Sequence, residues 1–141
     1  MKILLAVDGS PYTKKMLAYL TTHLDMFAPG QHEFTALTVQ AALPPRARAL
    51  AGREAVDNYY REEANKVLDP VAKYLARHNI DLKRAVKAGA AGETIAKFAD
   101  AGRYDLLVMG SHGHGALGNL VMGSVATKVL AQCGVPVLLV R

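Results

Sequence analysis

Glycine, serine and histidine are concentrated in one segment between an apolar run and a helical pattern. Five glycines fall within fourteen residues there: Gly110, Gly113, Gly115, Gly118 and Gly123. Glycine lets a backbone approach a ligand closely, and converging backbone N–H groups bind anions. No acidic residue follows Asp105 in the chain. The segment therefore predicts an anion site, and a tight turn without a ligand is the alternative.

Asp8 is a second candidate, because it ends the first apolar run. Residues 2–7 read KILLAV, and Asp8 is followed by Gly9, Ser10 and Pro11. This pattern is typical of a buried parallel strand that ends in a turn and leads into a helix. A carboxylate there accepts hydrogen bonds from a sugar hydroxyl or holds a metal ion bound to phosphate. Its alternative role is to form and cap the turn.

Two familiar phosphate motifs match the glycine segment only in part. Gly113, Gly115 and Gly118 have the G-x-G-x-x-G spacing of dinucleotide-binding loops, but no acidic residue follows to hold a ribose. The stretch GNLVMGS at 118–124 resembles a P-loop without its lysine. Neither a dinucleotide fold of that kind nor a Walker-type NTPase is therefore favoured.

The histidines and the cysteine allow other chemistry. His112 and His114 form an H-x-H pair with no carboxylate or cysteine close in sequence, so we favour contact with phosphate over metal binding. Cys133 is the only cysteine, which excludes an internal disulfide. We interpret it as a small core residue, with a reactive thiol as the alternative.

Strand and helix patterns alternate along the chain. Apolar runs predict strands at residues 2–7, 34–39, 82–86, 105–109 and 135–140, the third near a sheet edge. Helical spacing predicts helices at residues 11–27, 50–78, after 92 and at 120–131, with a kink or break allowed at Pro70 and an irregular stretch starting at Pro44. The expected fold is α/β, a single doubly wound domain over residues 1–141 with a five-stranded parallel sheet and helices on both faces. Its ligand cleft should lie between the ends of strands one and four.

Composition narrows the function classes. The 141 residues are 51% hydrophobic and carry a net charge of +5. The apolar stretches are shorter than the ~20 residues of a membrane span, so we expect a soluble, cytoplasmic protein that binds no membrane. The positive charge favours anionic ligands, but the sequence lacks a basic run or a stacking strand that would indicate nucleic-acid binding.

The whole chain resembles the universal stress protein family, specifically its ATP-binding branch. The resemblance is carried by KILLAVDGS, FTALTV, GAAGETI, DLLVMGSHG and VPVLLVR, and by the phosphate-loop spacing Gly-x2-Gly-x9-Gly-Ser at Gly110, Gly113, Gly123 and Ser124. Ala91 replaces a proline of many members. This resemblance implies a Rossmann-like fold, close to that of adenine nucleotide alpha hydrolases.

The resemblance also implies a ligand and its contacts. The ligand is ATP, with Mg or Mn bound through the phosphates as an option. Val39 would meet the adenine through its backbone, Asp8 the ribose, and the glycine loop the phosphates. The residues assigned to the site are Ala6, Val7, Asp8, Val39, Met109, Gly110, Ser111, His112, Gly113, His114, Gly123, Ser124 and Val125.

The expected function is ATP binding in stress response or regulation. A slow ATP-hydrolysing enzyme and a basic nucleic-acid-binding module are the alternatives. The last strand begins at Val135 and the chain ends at Arg141. An apolar edge strand exposes unpaired backbone groups. The resemblance to the family also implies dimerisation through this last strand. We expect a homodimer through residues 135–141, with a monomer whose strand is covered by its own helices as the alternative.

Overall fold

Five parallel strands form the sheet of the computed structural model, which describes residues 1–115 and 119–141. They are β1 (Lys2–Ala6), β2 (Glu33–Gln40), β3 (Leu82–Ala88), β4 (Leu106–Gly110) and β5 (Val137–Val140). Their order is β3-β2-β1-β4-β5, so the sheet grows outward in opposite directions from the β1 and β4 pair. The predicted parallel sheet is confirmed, with β3 at an edge.

Five helices in the described residues cover both faces of this sheet. They are α1 (Pro11–Thr22), α2 (Pro45–Ala51), α3 (Arg53–Ala76), α4 (Ala91–Ala101) and α5 (Ser124–Gln132). Helices α1 and α3 pack on one face, and α4 and α5 pack on the other. No helix in the part of the chain that the structure describes combines the length and apolar content that a membrane span requires.

The central strand β1 is apolar at successive positions because both of its faces are covered. Ile3 and Leu5 contribute to the core under α1 and α3, and Leu4 contributes to the core under α4 and α5. All three side chains are fully buried. A parallel strand between two helical layers has this continuous apolar pattern.

Several predicted boundaries were wrong. Helix α1 ends at Thr22, although Phe27 beyond it is still fully buried. The stretch after Pro44 contains the short helix α2 instead of irregular chain, which makes five helices where four were expected. The long helix predicted over residues 50–78 is confirmed as α3, although it starts at Arg53, and it continues through Pro70 without a break, with buried residues on both sides of the proline.

The last helix and strand begin later than predicted. Helix α5 starts at Ser124 instead of residue 120, since Gly123 is extended and its N–H is bonded to the Ser111 carbonyl at 2.8 Å. Strand β5 starts at Val137 instead of residue 135. Gly118, which took part in two of the rejected motifs, lies outside the described residues.

Candidate functional site

A cavity of about 330 Å³ opens at the carboxyl ends of β1, β2 and β4. Small-molecule sites in proteins usually measure about 300–1,000 Å³. The structure brings these sequence-predicted residues together around it: Ala6, Val7, Asp8, Val39, Met109, Gly110, His112, Gly113, His114, Gly123, Ser124 and Val125. Ser111 does not line the cavity, and its side chain is buried.

Sequence reasoning missed a second set of lining residues. These are Thr13, Leu37, Ala91, Ile95, Gly115, Leu120 and Ala126. Gly115 and Leu120 belong to the glycine segment, so their position in it was an available signal. Ile95 and Ala126 follow the apolar spacing of α4 and α5, but only the topology shows that these helices begin at the cleft.

One wall of the cavity is apolar. Leu37, Met109, Ile95 and Ala126 are buried there, and Val39 is half-buried beside them. They come from β2 and β4, the two strands beside β1, and from the helices α4 and α5. Such a wall suits an uncharged, flat ring, because burying apolar surface is favourable and needs no charged partner.

On the β1 side, the backbone of Val39 lies beyond the last residue of β2 that pairs with β1. The Leu37 carbonyl accepts a hydrogen bond from Val7 N at 3.0 Å, and the Gln40 carbonyl accepts one from Gly89 N at 2.9 Å. Backbone groups alternate along a strand, so those of Val39 point to the β1 side. Strand β1 has already ended at Ala6. The N–H and C=O of Val39 are therefore available to a ligand.

Asp8 lies against the glycine loop at the edge of the cavity. Its side chain forms a turn in which Oδ1 accepts a hydrogen bond from Ser10 N at 2.9 Å. The second oxygen, Oδ2, is directed at the loop: a Cβ atom built on Gly113 would lie 2.7 Å from it. The turn-forming role and a ligand role are thus compatible, because each uses a different oxygen.

The two ends of the glycine loop are joined at Gly123. Its N–H donates to the Ser111 carbonyl at 2.8 Å, and a Cβ there would come within 3.1 Å of the His112 Cα. A larger residue would separate the two segments. The glycine therefore permits a close backbone approach that brings the start of α5 to the end of β4.

The start of α5 supplies free N–H groups to the cavity. The first helical hydrogen bond joins Thr127 N to the Gly123 carbonyl at 3.0 Å. The N–H groups of Ser124, Val125 and Ala126 therefore have no acceptor within the helix. All three residues line the cavity. Together with the helix dipole, they form a site suited to an anion.

Both loop histidines are already hydrogen-bonded to backbone carbonyls. Nε2 of His112 lies 2.9 Å from the Leu120 carbonyl and Nε2 of His114 lies 2.8 Å from the Asp8 carbonyl. A carbonyl only accepts, so both Nε2 atoms carry hydrogen. Nδ1 of His112 lies 2.8 Å from the Ser111 hydroxyl. Contact between these rings and phosphate stays a prediction.

The cavity has little formal charge. Asp8 is the only acidic residue among its described lining residues, and none of them is Lys or Arg. Among the residues that the structure describes, no group of three His, Cys, Asp or Glu side chains is placed to hold a metal ion. Neutral backbone donors, rather than cationic side chains, would hold a phosphate group here.

Cys133 lies outside this cavity and is half-buried. Its Sγ is 3.8 Å from both Asp100 Oδ1 and the Val135 carbonyl. Burial raises the pKa of the Cys133 thiol, with the nearby Asp100 carboxylate acting in the same direction. Because the thiolate is the reactive form, this environment does not favour the reactive-thiol alternative.

The strand order and the cleft define a doubly wound α/β domain with a glycine-rich loop at its switch point. The model of the universal stress protein family matches residues 1–141, so the chain belongs to this family.

Curated relatives carry the same family name. The chain is 32% identical over 140 residues to a universal stress protein of Thermus aquaticus, covering 99% of this chain and 97% of that protein. It is 29% identical over 140 residues to Universal stress protein Slr1230 of Synechocystis sp., covering 99% of this chain. The chain spans only 42% of the length of that cyanobacterial relative.

Solved structures share the fold. Protein MJ0577 of Methanocaldococcus jannaschii superposes with a TM-score of 0.80 at 26% identity, covering 99% of this chain and 94% of that one. A universal stress protein in complex with cAMP has a TM-score of 0.70 at 18% identity, covering 100% and 97%. An Arabidopsis thaliana family protein with AMP bound has a TM-score of 0.70 at 16% identity, covering 99% and 90%.

Proposed function

We propose that this chain is a cytoplasmic regulatory protein of the stress response that binds an adenine nucleotide, with ATP as its ligand. The observation that carries the proposal is one cleft that combines an apolar wall, a carboxylate oxygen and an amide-rich glycine loop. Family membership and the nucleotides bound by two proteins of the same fold support it.

The three parts of a nucleotide match three parts of the cleft. Adenine would lie on the apolar wall with its edge at the free backbone groups of Val39. The ribose would meet Oδ2 of Asp8. The phosphates would meet the backbone of Gly110, His112 and Gly113 and the N–H groups of Ser124 and Val125. The backbone of Ser111 is not available to them, because its N–H donates to the Val140 carbonyl and its carbonyl accepts from Gly123 N. A Mg or Mn ion would be held through the phosphates, and Asp8 is the only carboxylate among the described lining residues that could help to hold it.

Binding is favoured over phosphoryl transfer by the charges of the cleft. Transfer needs cationic groups aimed at the reacting phosphate and a residue that orients the nucleophile. The described lining residues include no Lys or Arg, and the sequence has none between Arg103 and Lys128. Regulation through the nucleotide-bound state is therefore our first proposal, and slow hydrolysis is secondary to it.

The proposal is tested by the nucleotide content of the purified protein. We expect denaturation to release an adenine nucleotide that mass spectrometry identifies, and calorimetry on the stripped protein to show binding of added ATP. Titrations with AMP and cAMP would rank the ligands. A stripped, folded protein that binds none of the three would contradict the proposal.

Ser124→Ala should weaken nucleotide binding by about 1 kcal/mol, or about fivefold in Kd. The substitution removes one hydroxyl donor at the first residue of α5 but leaves the helix N–H groups in place. Ser124→Thr keeps the hydroxyl and is the matched control. Calorimetry should show weaker binding for the alanine variant alone. Equal affinities for alanine, threonine and wild type would show that the Ser124 hydroxyl does not contact the phosphates.

We also propose a homodimer through residues 135–141. Strand β5 is at the sheet edge, and its side chains are only half-covered by the chain itself. The carbonyls of Pro136 and Val140 accept hydrogen bonds from β4, at 2.9 Å and 2.8 Å. By strand alternation, the backbone groups of Val137 and Leu139 point outward, where a second copy could pair with them.

Leu139→Pro should convert the dimer to a monomer without breaking the sheet. The N–H that proline removes faces outward, so the hydrogen bonds between β4 and β5 remain. Leu139→Ala keeps that N–H and controls for the lost side chain, whereas Leu138→Pro disturbs the side that pairs with β4 and should destabilise the fold. Analytical ultracentrifugation checks the assembly state. A wild-type monomer at micromolar concentration, or a Leu139→Pro dimer, would contradict this interface.

A further inference from the structure

Thr13 lines the cavity and is hydrogen-bonded to Asp8. Neither the glycine loop nor the apolar pattern of the sequence indicates that it belongs to the site. It lies in the first turn of α1, and its side chain is buried, with 5% of the residue exposed. Its Oγ1 is 2.9 Å from Oδ1 of Asp8 and 3.1 Å from the backbone N of Asp8. The two residues therefore form a closed pair of hydrogen bonds.

The direction of each hydrogen bond follows from the atoms involved. The N–H of Asp8 can only donate, so Oγ1 of Thr13 accepts from it. The hydroxyl hydrogen of Thr13 then goes to the carboxylate, because Oδ1 of Asp8 can only accept when ionised. Ser10 N donates to the same carboxylate oxygen at 2.9 Å. Two donors thus hold Oδ1 on the protein side.

This arrangement leaves one carboxylate oxygen for the cleft. With Oδ1 held by Thr13 and Ser10, the rotation of the carboxylate is fixed and Oδ2 faces Gly113. An exposed aspartate without these bonds would sample several rotamers and would lose that freedom on binding a ligand. His114 contacts the Asp8 backbone carbonyl and leaves the carboxylate free.

We propose that Thr13 is a positioning residue that makes Asp8 selective for a ribose hydroxyl. It acts through Asp8 and does not itself contact the ligand. This assignment rests on the proposed function, because it concerns the sugar of the nucleotide placed in the same cleft. A residue that only stabilised the start of α1 would affect all ligands of the cleft equally, whereas Thr13 should affect only those with ribose hydroxyls.

The test compares ATP with 2′,3′-dideoxy-ATP, which lacks both ribose hydroxyls. Wild type should bind ATP about tenfold or more tightly, the effect of one hydrogen bond to a charged group. Thr13→Val keeps the shape but removes the hydroxyl, and it should reduce this ratio to about two. Thr13→Ser keeps the hydroxyl and should retain the wild-type ratio. Urea unfolding of each protein without nucleotide separates stability from selectivity.

A measurement without ligand checks the same assignment. Side-chain scalar couplings from NMR should report one χ1 rotamer of Asp8 in wild type and in Thr13→Ser, and averaged rotamers in Thr13→Val. A wild type that binds neither nucleotide would overturn the proposed function itself. A wild type that binds both equally, or a Thr13→Val protein that keeps the full ratio, would overturn the role of Thr13 while leaving nucleotide binding intact.

Discussion

Gly113→Val should weaken the binding of ATP by about tenfold or more, which corresponds to about 1.4 kcal/mol. The reason is steric. A Cβ atom at position 113 would lie 2.7 Å from Oδ2 of Asp8, closer than Cβ atoms approach other atoms in real structures. The valine would displace the carboxylate from the position in which we propose that it binds the ribose, and its branches would narrow the cleft between the two loops.

A double-mutant cycle identifies that cause. We would measure ATP binding to Gly113→Val, Asp8→Ala and the double variant by calorimetry. Gly113→Val should weaken binding much less when no carboxylate is present, because substitutions at residues in contact have non-additive effects. Urea unfolding controls for a general loss of stability. Wild-type affinity in Gly113→Val would show that the phosphates and ribose are placed wrongly. If Gly113→Val weakened ATP binding equally in the Asp8→Ala protein, the valine would act on the ligand directly.

Most of the fold could be predicted because its strands are buried on both sides. Runs such as residues 3–7 and 106–109 are apolar throughout, and their alternation with helical spacing leaves few arrangements other than a doubly wound sheet. The missed helix α2 has no buried residue, so it leaves no apolar period in the sequence. The start of α5 was predicted wrongly because a tertiary contact determines it. The hydrogen bond from Gly123 N to the Ser111 carbonyl keeps the residues before Ser124 outside the helix.

The candidate site was predictable to the extent that it lies in contiguous motifs. The segment around Asp8 and the glycine loop both follow strands, and parallel strands bring their carboxyl ends to one edge. Thr13 and Ile95 were missed because their place at the cleft depends on how α1 and α4 pack on the sheet. The burial of Ser111 was missed for a related reason: the direction of its side chain depends on the backbone directly after β4, where Ser111 N donates to the Val140 carbonyl at 2.8 Å.

Gly110→Ala should lower the free energy of unfolding by about 1–3 kcal/mol, the usual cost of adding a methyl group to a filled site. A Cβ at position 110 would lie 2.6 Å from the Cβ of Tyr12, and 3.3 Å from the carbonyl carbon of Tyr12 and the carbonyl oxygen of His112. None of these atoms moves when a side chain rotates. Strand β4 and helix α1 would have to separate, so this glycine of the loop motif is required for packing.

Tyr12→Gly provides the matched test, because it removes the Cβ atom that the new methyl group would meet. On its own it should destabilise the protein by about 1 kcal/mol through the helix backbone, with a further loss of the contact between the Tyr12 and His112 rings, whose centroids are 4.8 Å apart. In the Tyr12→Gly protein, Gly110→Ala should lower the free energy of unfolding by much less than in wild type. Urea unfolding of the four proteins measures the coupling, which should reach about 1 kcal/mol or more. Additive losses would mean that the space between β4 and α1 does not limit this position, and Gly110 would then be needed for another reason, such as contact of its backbone with the phosphates.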